Sequence, residues 1–127
     1  MANLLMDIAD YLVASNVALS DQIFRDGSPD TPDYAIILYE YAGNVSIPQV
    51  DTTLRSLQVV VRDFSPTISR EKANEIYNLF KTEDGVLSIT LDRWCMPHLR
   101  QSPFKLKVDT KNRVYYAFNL GMTTYND

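Results

Sequence analysis

The sequence predicts an α+β fold: a mostly antiparallel or mixed β-sheet with two main helices packed on one face and a β-hairpin at the C-terminal end. Three observations carry this. Apolar residues recur at helical spacing in two stretches, at 4–12 and 73–80. Apolar and polar residues alternate with a period of two at 57–62, 87–91 and 104–120, as half-buried strands require. The elements then run helix, strands, helix, strands, which suits a sheet with helices on one side better than repeated βαβ units.

Taken in order, Asn3 can cap a first helix whose apolar side is Leu4, Ile8, Tyr11 and Leu12. That helix should stop near Asn16, a residue type that tolerates the left-handed conformation of a helix end. Ile23-Phe24-Arg25 is a short strand, and Gly27-Ser28-Pro29-Asp30-Thr31-Pro32 is turn chemistry. Tyr34 to Tyr41 is aliphatic, aromatic and unalternated up to Glu40, which fits a strand covered on both faces. Ala42 to Thr53 contains Gly43, Asn44 and Pro48 and reads as a long connection, a kind of segment that is often functional. Leu57, Val59 and Val61 form the next strand, alternating with Gln58, Val60 and Arg62; if buried, Arg62 needs a partner such as Asp63.

Ser65 to Ser69 opens the second helix, with Ser69 as cap and Ile68 stapled onto Ala73. Its apolar stripe is Ala73, Ile76, Tyr77 and Phe80. Asp84-Gly85 is a turn, Leu87, Ile89 and Leu91 form a strand, and Trp94 to His98 is irregular because of Pro97. In the closing hairpin, Phe104, Leu106 and Val108 lead into the turn Asp109 to Asn112. Val114, Tyr116, Phe118 and Leu120 return. Residues 121–127 are polar and aperiodic, which predicts an extended or mobile tail.

Composition bounds what such a fold can do. The 127 residues, 46% apolar and 22% charged, suit one globular domain over 1–127, and no internal repeat divides it. No apolar run approaches the ~20 residues of a membrane span. The start, Met1 to Asp7, lacks the basic flank of a signal peptide. A single cysteine, Cys95, cannot form an internal disulfide, which is compatible with a reducing cytoplasm.

The chemistry of a catalyst is not spelled out. Four glycines, none in phosphate-cradle spacing, argue against a nucleotide loop. Cys95 and His98 have the separation of one corner of a zinc site, but no second pair completes it. As a nucleophile and base they lack a third orienting group, and Cys95 reads as a small buried apolar residue. Carboxylates at Glu83-Asp84 and Asp30/Asp33 sit in turns and read as capping or solvated groups. The expectation is therefore no catalytic, cofactor-binding or metal-binding residue.

Charge is the more informative feature. The net charge is −4, yet residues 1–92 hold six basic and fourteen acidic side chains. Residues 93–113 hold Arg93, Arg100, Lys105, Lys107, Lys111 and Arg113 against Asp109 alone. If this asymmetry folds into two faces, copies can associate head to tail, because unlike faces attract and like faces repel. Lys105, Lys107, Arg113, Tyr115 and Tyr116 on paired strands also have the composition of a base-stacking surface, but the acidic excess elsewhere opposes a phosphate footprint. Eight tyrosines, five phenylalanines and one tryptophan exceed what one small core must bury, and tyrosine is favoured at protein interfaces. Tyr115, alternating with core positions, should face outward or against a helix.

Several phrases, taken in order, resemble the tail terminator (minor capsid) proteins of long-tailed bacteriophages. They are Asp33-Tyr34-Ala35-Ile36-Ile37-Leu38-Tyr39-Glu40-Tyr41, Leu57-Gln58-Val59-Val60-Val61-Arg62-Asp63 and Ala73-Asn74-Glu75-Ile76-Tyr77-Asn78-Leu79-Phe80. The turn from Asp109 to Arg113, followed by Tyr115-Tyr116-Ala117-Phe118-Asn119, is similar to the family's last hairpin. The resemblance runs from the first helix to Asn119 and contains no catalytic signature. It implies a virion protein of the head-proximal tail end, assembled in the host cytoplasm. Such a protein forms a homo-oligomeric ring, typically hexameric, that stops tube polymerisation. Its partners would be copies of itself, the tail-tube protein and a head-completion or connector protein, with DNA passing through unread and no membrane involved.

Under that reading the contact surfaces are expected at Tyr41, Val45 and Ile47 around the long connection, at Trp94 and Met96, and at Lys105, Lys107, Arg113 and Tyr115 on the hairpin. Head-completion, connector and tail-tube proteins share this strand-rich, self-associating character and stay open as alternatives. A small cytoplasmic enzyme or a nucleic-acid module fits the residues less well.

Overall fold

The structure, a computed structural model, describes residues 4–41, 52–81 and 95–125. Helix α1 spans Leu4–Ala14 and buries Leu4, Leu5, Ile8 and Leu12 along one side, with Tyr11 half-buried beside them. It ends as its sequence asks. Asn16 adopts φ 61°, its N–H donates to the Val13 carbonyl and the Val17 N–H reaches back to the Leu12 carbonyl. These two bonds satisfy carbonyls that the last turn would otherwise leave unpaired.

A 3-10 turn at Ser20–Gln22 leads into strand β1 (Ile23–Arg25), followed by β2 (Ala35–Tyr41). The two are parallel, with Ile23 opposite Ile36. Parallel neighbours need a connection that runs back along the strand. Here β1 is so short that residues 26–34, without a helix, suffice at ~3.5 Å per residue. The loop starts at Asp26 in the left-handed region, φ 56°, and contains a cis Thr31–Pro32 bond.

Strand β3 (Thr52–Asp63) starts five residues earlier than the alternation at Leu57 suggested. Its partners explain the extra length: β3 pairs antiparallel with β2, and along its whole extent with β5 (Val114–Tyr125). Residues 121–125, expected as an extended or mobile tail, are therefore strand, held by backbone pairing that ignores side-chain polarity. Strand β4 (Cys95–Val108) pairs with β5 to form the expected hairpin. It runs straight through Cys95 to His98, where irregular chain was expected. Pro97 is tolerated because β4 is an edge strand among the described residues, the position in a sheet where proline is accepted. The five strands among the described residues lie in the order β1-β2-β3-β5-β4. The sheet is thus mixed, with one parallel pair, and the fold is α+β. The strand expected at 87–91, the Asp84-Gly85 turn and the Asn3 cap lie outside the described residues.

Helix α2 (Pro66–Lys81) begins earlier than a Ser69 cap would place it. Pro66 occupies the first helical position, where its fixed φ and lost N–H cost nothing. Ser65 is the cap, its Oγ accepting the Ile68 N–H at 3.3 Å, and the Asp63 carboxylate accepts the Ser65 N–H at 2.9 Å. Ser69 is instead buried inside the helix and donates its hydroxyl to the Val114 carbonyl at 3.0 Å, tying α2 to β5. Ala73, Ile76 and Phe80 are buried as predicted, each large side chain contributing about 2 kcal/mol by leaving water. Tyr77 sets its ring edge-on to Phe118, 5.5 Å between centroids.

Both helices pack on one sheet face, over Ile36, Leu38, Leu57, Val59, Val61, Phe118, Leu120 and Met122. The opposite face has its own smaller core of Ala35, Ile37, Val60, Tyr115 and Ala117, flanked by Phe24, Tyr39 and Phe104. That second core explains why β2 carries four successive buried residues, Ala35 to Leu38.

Candidate functional site

The hairpin turn gathers a dense set of hydrogen bonds around Asp109 and Arg113. Asp109 opens it and Asn112, at φ 66°, lets the chain double back. One oxygen of Asp109 accepts the backbone N–H groups of Lys111 and Arg113, each at 3.0 Å. The other accepts the Arg113 guanidinium at 2.8 Å and the Tyr115 hydroxyl at 3.0 Å. Desolvation works against the Asp109 charge, but the bonds from Arg113, Tyr115 and Lys111 outweigh it and bring its pKa down to about 2.

Arg113 reaches further. It donates to the Asp30 carbonyl at 2.6 Å and pairs with the Asp30 and Asp33 carboxylates at 3.2 and 3.3 Å. Lys111 also pairs with Asp30, and its hydrogen bond lowers the Asp30 pKa. Beneath them Arg62, fully buried, donates to the Pro32 and Asp33 carbonyls and to Ser28 Oγ, at 2.6, 3.1 and 3.1 Å. Asp63, the partner suggested for it by sequence, points to the other side of the strand, as successive strand residues must. The 26–34 loop is thus clasped onto the helix-free sheet face by two arginines, one from β3 and one from the turn before β5.

This corrects part of the interface expectation. Arg113 and Tyr115 are buried, at 4% and 6% exposure, and offer little outward surface: Arg113 binds the loop, and Tyr115 packs in the smaller core with its hydroxyl on Asp109. Tyr115 packs on the helix-free side under Lys107, whose Nζ lies 4.7 Å from the ring centroid, while Tyr116 packs toward the helices. Two rings on opposite faces provide no base-stacking platform. The late lysines and arginines also do not form one separate basic face, since Lys111 and Arg113 are neutralised by acids from the early loop.

What stays outward lies on β4. Lys105, Leu106, Lys107 and Val108 are all exposed, the two apolar ones at 40% and 46%, and Lys105 has no side-chain partner among the described residues. Arg100 is exposed as well and donates to Ser56 Oγ at 3.3 Å. Next to it a neutral row crosses three strands: Gln58 donates to Asn119 at 3.1 Å, and Asn119 to Gln101 at 2.7 Å. Tyr41 is exposed at the end of β2. Val45, Ile47 and Trp94 lie outside the described residues, and of Met96 only the backbone, in β4, is described.

Sequence reasoning missed a second exposed region. Met6, Val13 and Leu19 stand 45%, 36% and 63% exposed around α1. Met6 and Val13 line a groove of about 170 Å³ between α1 and β1 with Ala9, Asp10, Ile23 and Arg25. The signal was present but weak, since three apolar residues interrupt the polar side of α1 and the turn after it. Among the described residues no group of three His, Cys, Asp or Glu side chains is placed to hold a metal ion. No helix among them is long and apolar enough to cross a membrane. Compared with known families, the chain matches the one described as "Bacteriophage tail terminator protein" over residues 7–126. Comparison with curated proteins gives no match.

Proposed function

The chain belongs to the bacteriophage tail terminator family, and from that we propose that it closes the head-proximal end of a finished tail tube as a ring, halts further addition of tube subunits and presents the surface to which the head joins. The observation that carries this reading is the family match over residues 7–126, which takes in the described strands and nearly all of the described helices. The family is a structural one of the phage tail, which makes the protein a component of the virion. Its partners in this role are its own copies, the tail-tube protein and a head-completion protein.

Ending a polymer requires a surface that engages the last subunit and a different one that does not accept the next. A sheet with helices on one face and a clasped loop on the other provides unlike surfaces. An acidic chain of net charge −4 would also let DNA pass without gripping its phosphates. The reading is tested on tails assembled without this protein. They should be overlong or fail to join heads, and added protein should restore normal joined tails. Tails of normal length attached to heads in its absence would rule the reading out.

A further inference from the structure

We propose that copies of this chain join edge to edge, the β4 rim of one copy seated in the groove between α1 and β1 of the next. The inference rests on the ring reading above and specifies the surfaces that make it.

Among the described residues, strand order puts β1 and β4 at opposite edges of one sheet, about 19 Å apart at the usual strand spacing. Two different patches on opposite sides of a subunit form a heterologous contact, the type that generates rings when its rotation closes. Their chemistry is complementary. The β4 rim offers Lys105 and Lys107 with Leu106 and Val108 exposed between and beside them. The groove offers Met6 and Val13 as apolar surface with the exposed carboxylate of Asp10, and the turn leading into β1 adds the exposed Leu19 and Asp21. Arg25 is the one cation among the groove's lining residues. Apolar contact with oppositely charged surroundings is how a specific interface is built, and like-charged edges would disfavour the wrong pairing of β4 with β4. Pro97, Pro103 and three register irregularities also break β4 as a template for long strand pairing. Its proline-free end, 104–108, is the part left to dock.

The test uses charge reversal. Lys105→Glu with Lys107→Glu should weaken association between copies at least ~100-fold, and so should Asp10→Lys with Asp21→Lys. Mixing the two variants should restore association, because each then meets its opposite at both edges. The four-fold variant should restore it alone. Zero-length carbodiimide cross-linking of the wild-type protein on assembled tails should join Lys105 or Lys107 of one copy to Asp10 or Asp21 of another. Reversal variants that associate like the wild type, a mixture that does not recover, or cross-links between copies only at other surfaces would overturn the proposal and leave the ring standing. Absence of any link between copies on tails would instead remove the ring reading, and this inference with it.

Discussion

Lys107 and Arg113 stand on either side of one hairpin turn and belong to the same basic stretch of sequence, yet the fold treats them oppositely. Arg113 is buried among three carboxylates, of Asp30, Asp33 and Asp109, and holds the 26–34 loop against the sheet. Lys107 keeps its ammonium over the Tyr115 ring at the exposed edge of β4. Turn geometry separates them. The turn folds Arg113 toward the loop, while the edge position of β4 leaves its lysines beside no further strand among the described residues. Positive charge in a sequence therefore does not report a surface until its partners are located. Here one part of it assembles the subunit and another remains outward.

The comparison breaks most visibly at Arg62, which lies under the same clasp. Arg62→Met should destabilise the fold by about 3 kcal/mol, read by urea denaturation, because three oxygens of the loop lose the buried charged donor that holds them to the sheet. Arg62→Lys should not restore it, since one ammonium cannot reproduce the planar fork that spans Ser28, Pro32 and Asp33. Stability unchanged in the methionine variant would mean that the loop is held by something other than this arginine.

Acid sharpens the same contrast. The Asp109 carboxyl sits at about 2 against an ordinary 3.8, so folding favours its ionised form. The stabilisation is complete above pH 3.8 and is lost as the pH falls toward 2, where the folded form also takes up the proton. Asp30, lowered by its bond to Lys111, acts in the same direction. Asp109→Asn should be less stable at neutral pH and should show a flatter decline through that window, measured by thermal melts across pH. A variant with the same acid profile as the wild type would show that the turn carboxylate is not the group responsible.

Much of the fold could be read from residue order. Helix positions Leu4, Ile8, Leu12, Ala73, Ile76 and Phe80, the β1 tripeptide, the Asn16 stop and the hairpin all occupy the places their spacing indicated. Errors arose where a backbone partner outweighed local signals. Residues 121–125 look like tail but pair with β3, and Pro97 looks like a breaker but lies on an edge. Ser69 looks like a cap, yet Ser65-Pro66 does that work one turn earlier. The interface residues were harder: Arg113 acquires its role from Asp30 and Asp33, some eighty positions away in the chain, and Tyr115 its burial from Ala35, Ile37 and Val60 on other strands. No local pattern encodes such a meeting. The α1 groove was equally hidden, since Met6 and Val13 only come to line it with Ile23 and Arg25 once β1 is placed.

The smallest effect expected is at the rim itself, and it is the most discriminating. Lys105→Ala should leave subunit stability within about 0.5 kcal/mol of the wild type, as an exposed side chain without a partner should. Lys107→Ala should cost no more than about 1 kcal/mol, the value of an exposed cation over a tyrosine ring. Both are read by the same urea titrations used for Arg62. If either approached the effect of Arg62→Met, the β4 lysines would belong to the subunit's own architecture, and the division between a folding end and a docking edge would fail. If both stay small while association between copies falls, the two ends of this basic stretch are separable functions. Selection on assembly could then change the β4 rim without disturbing the clasp that holds the sheet.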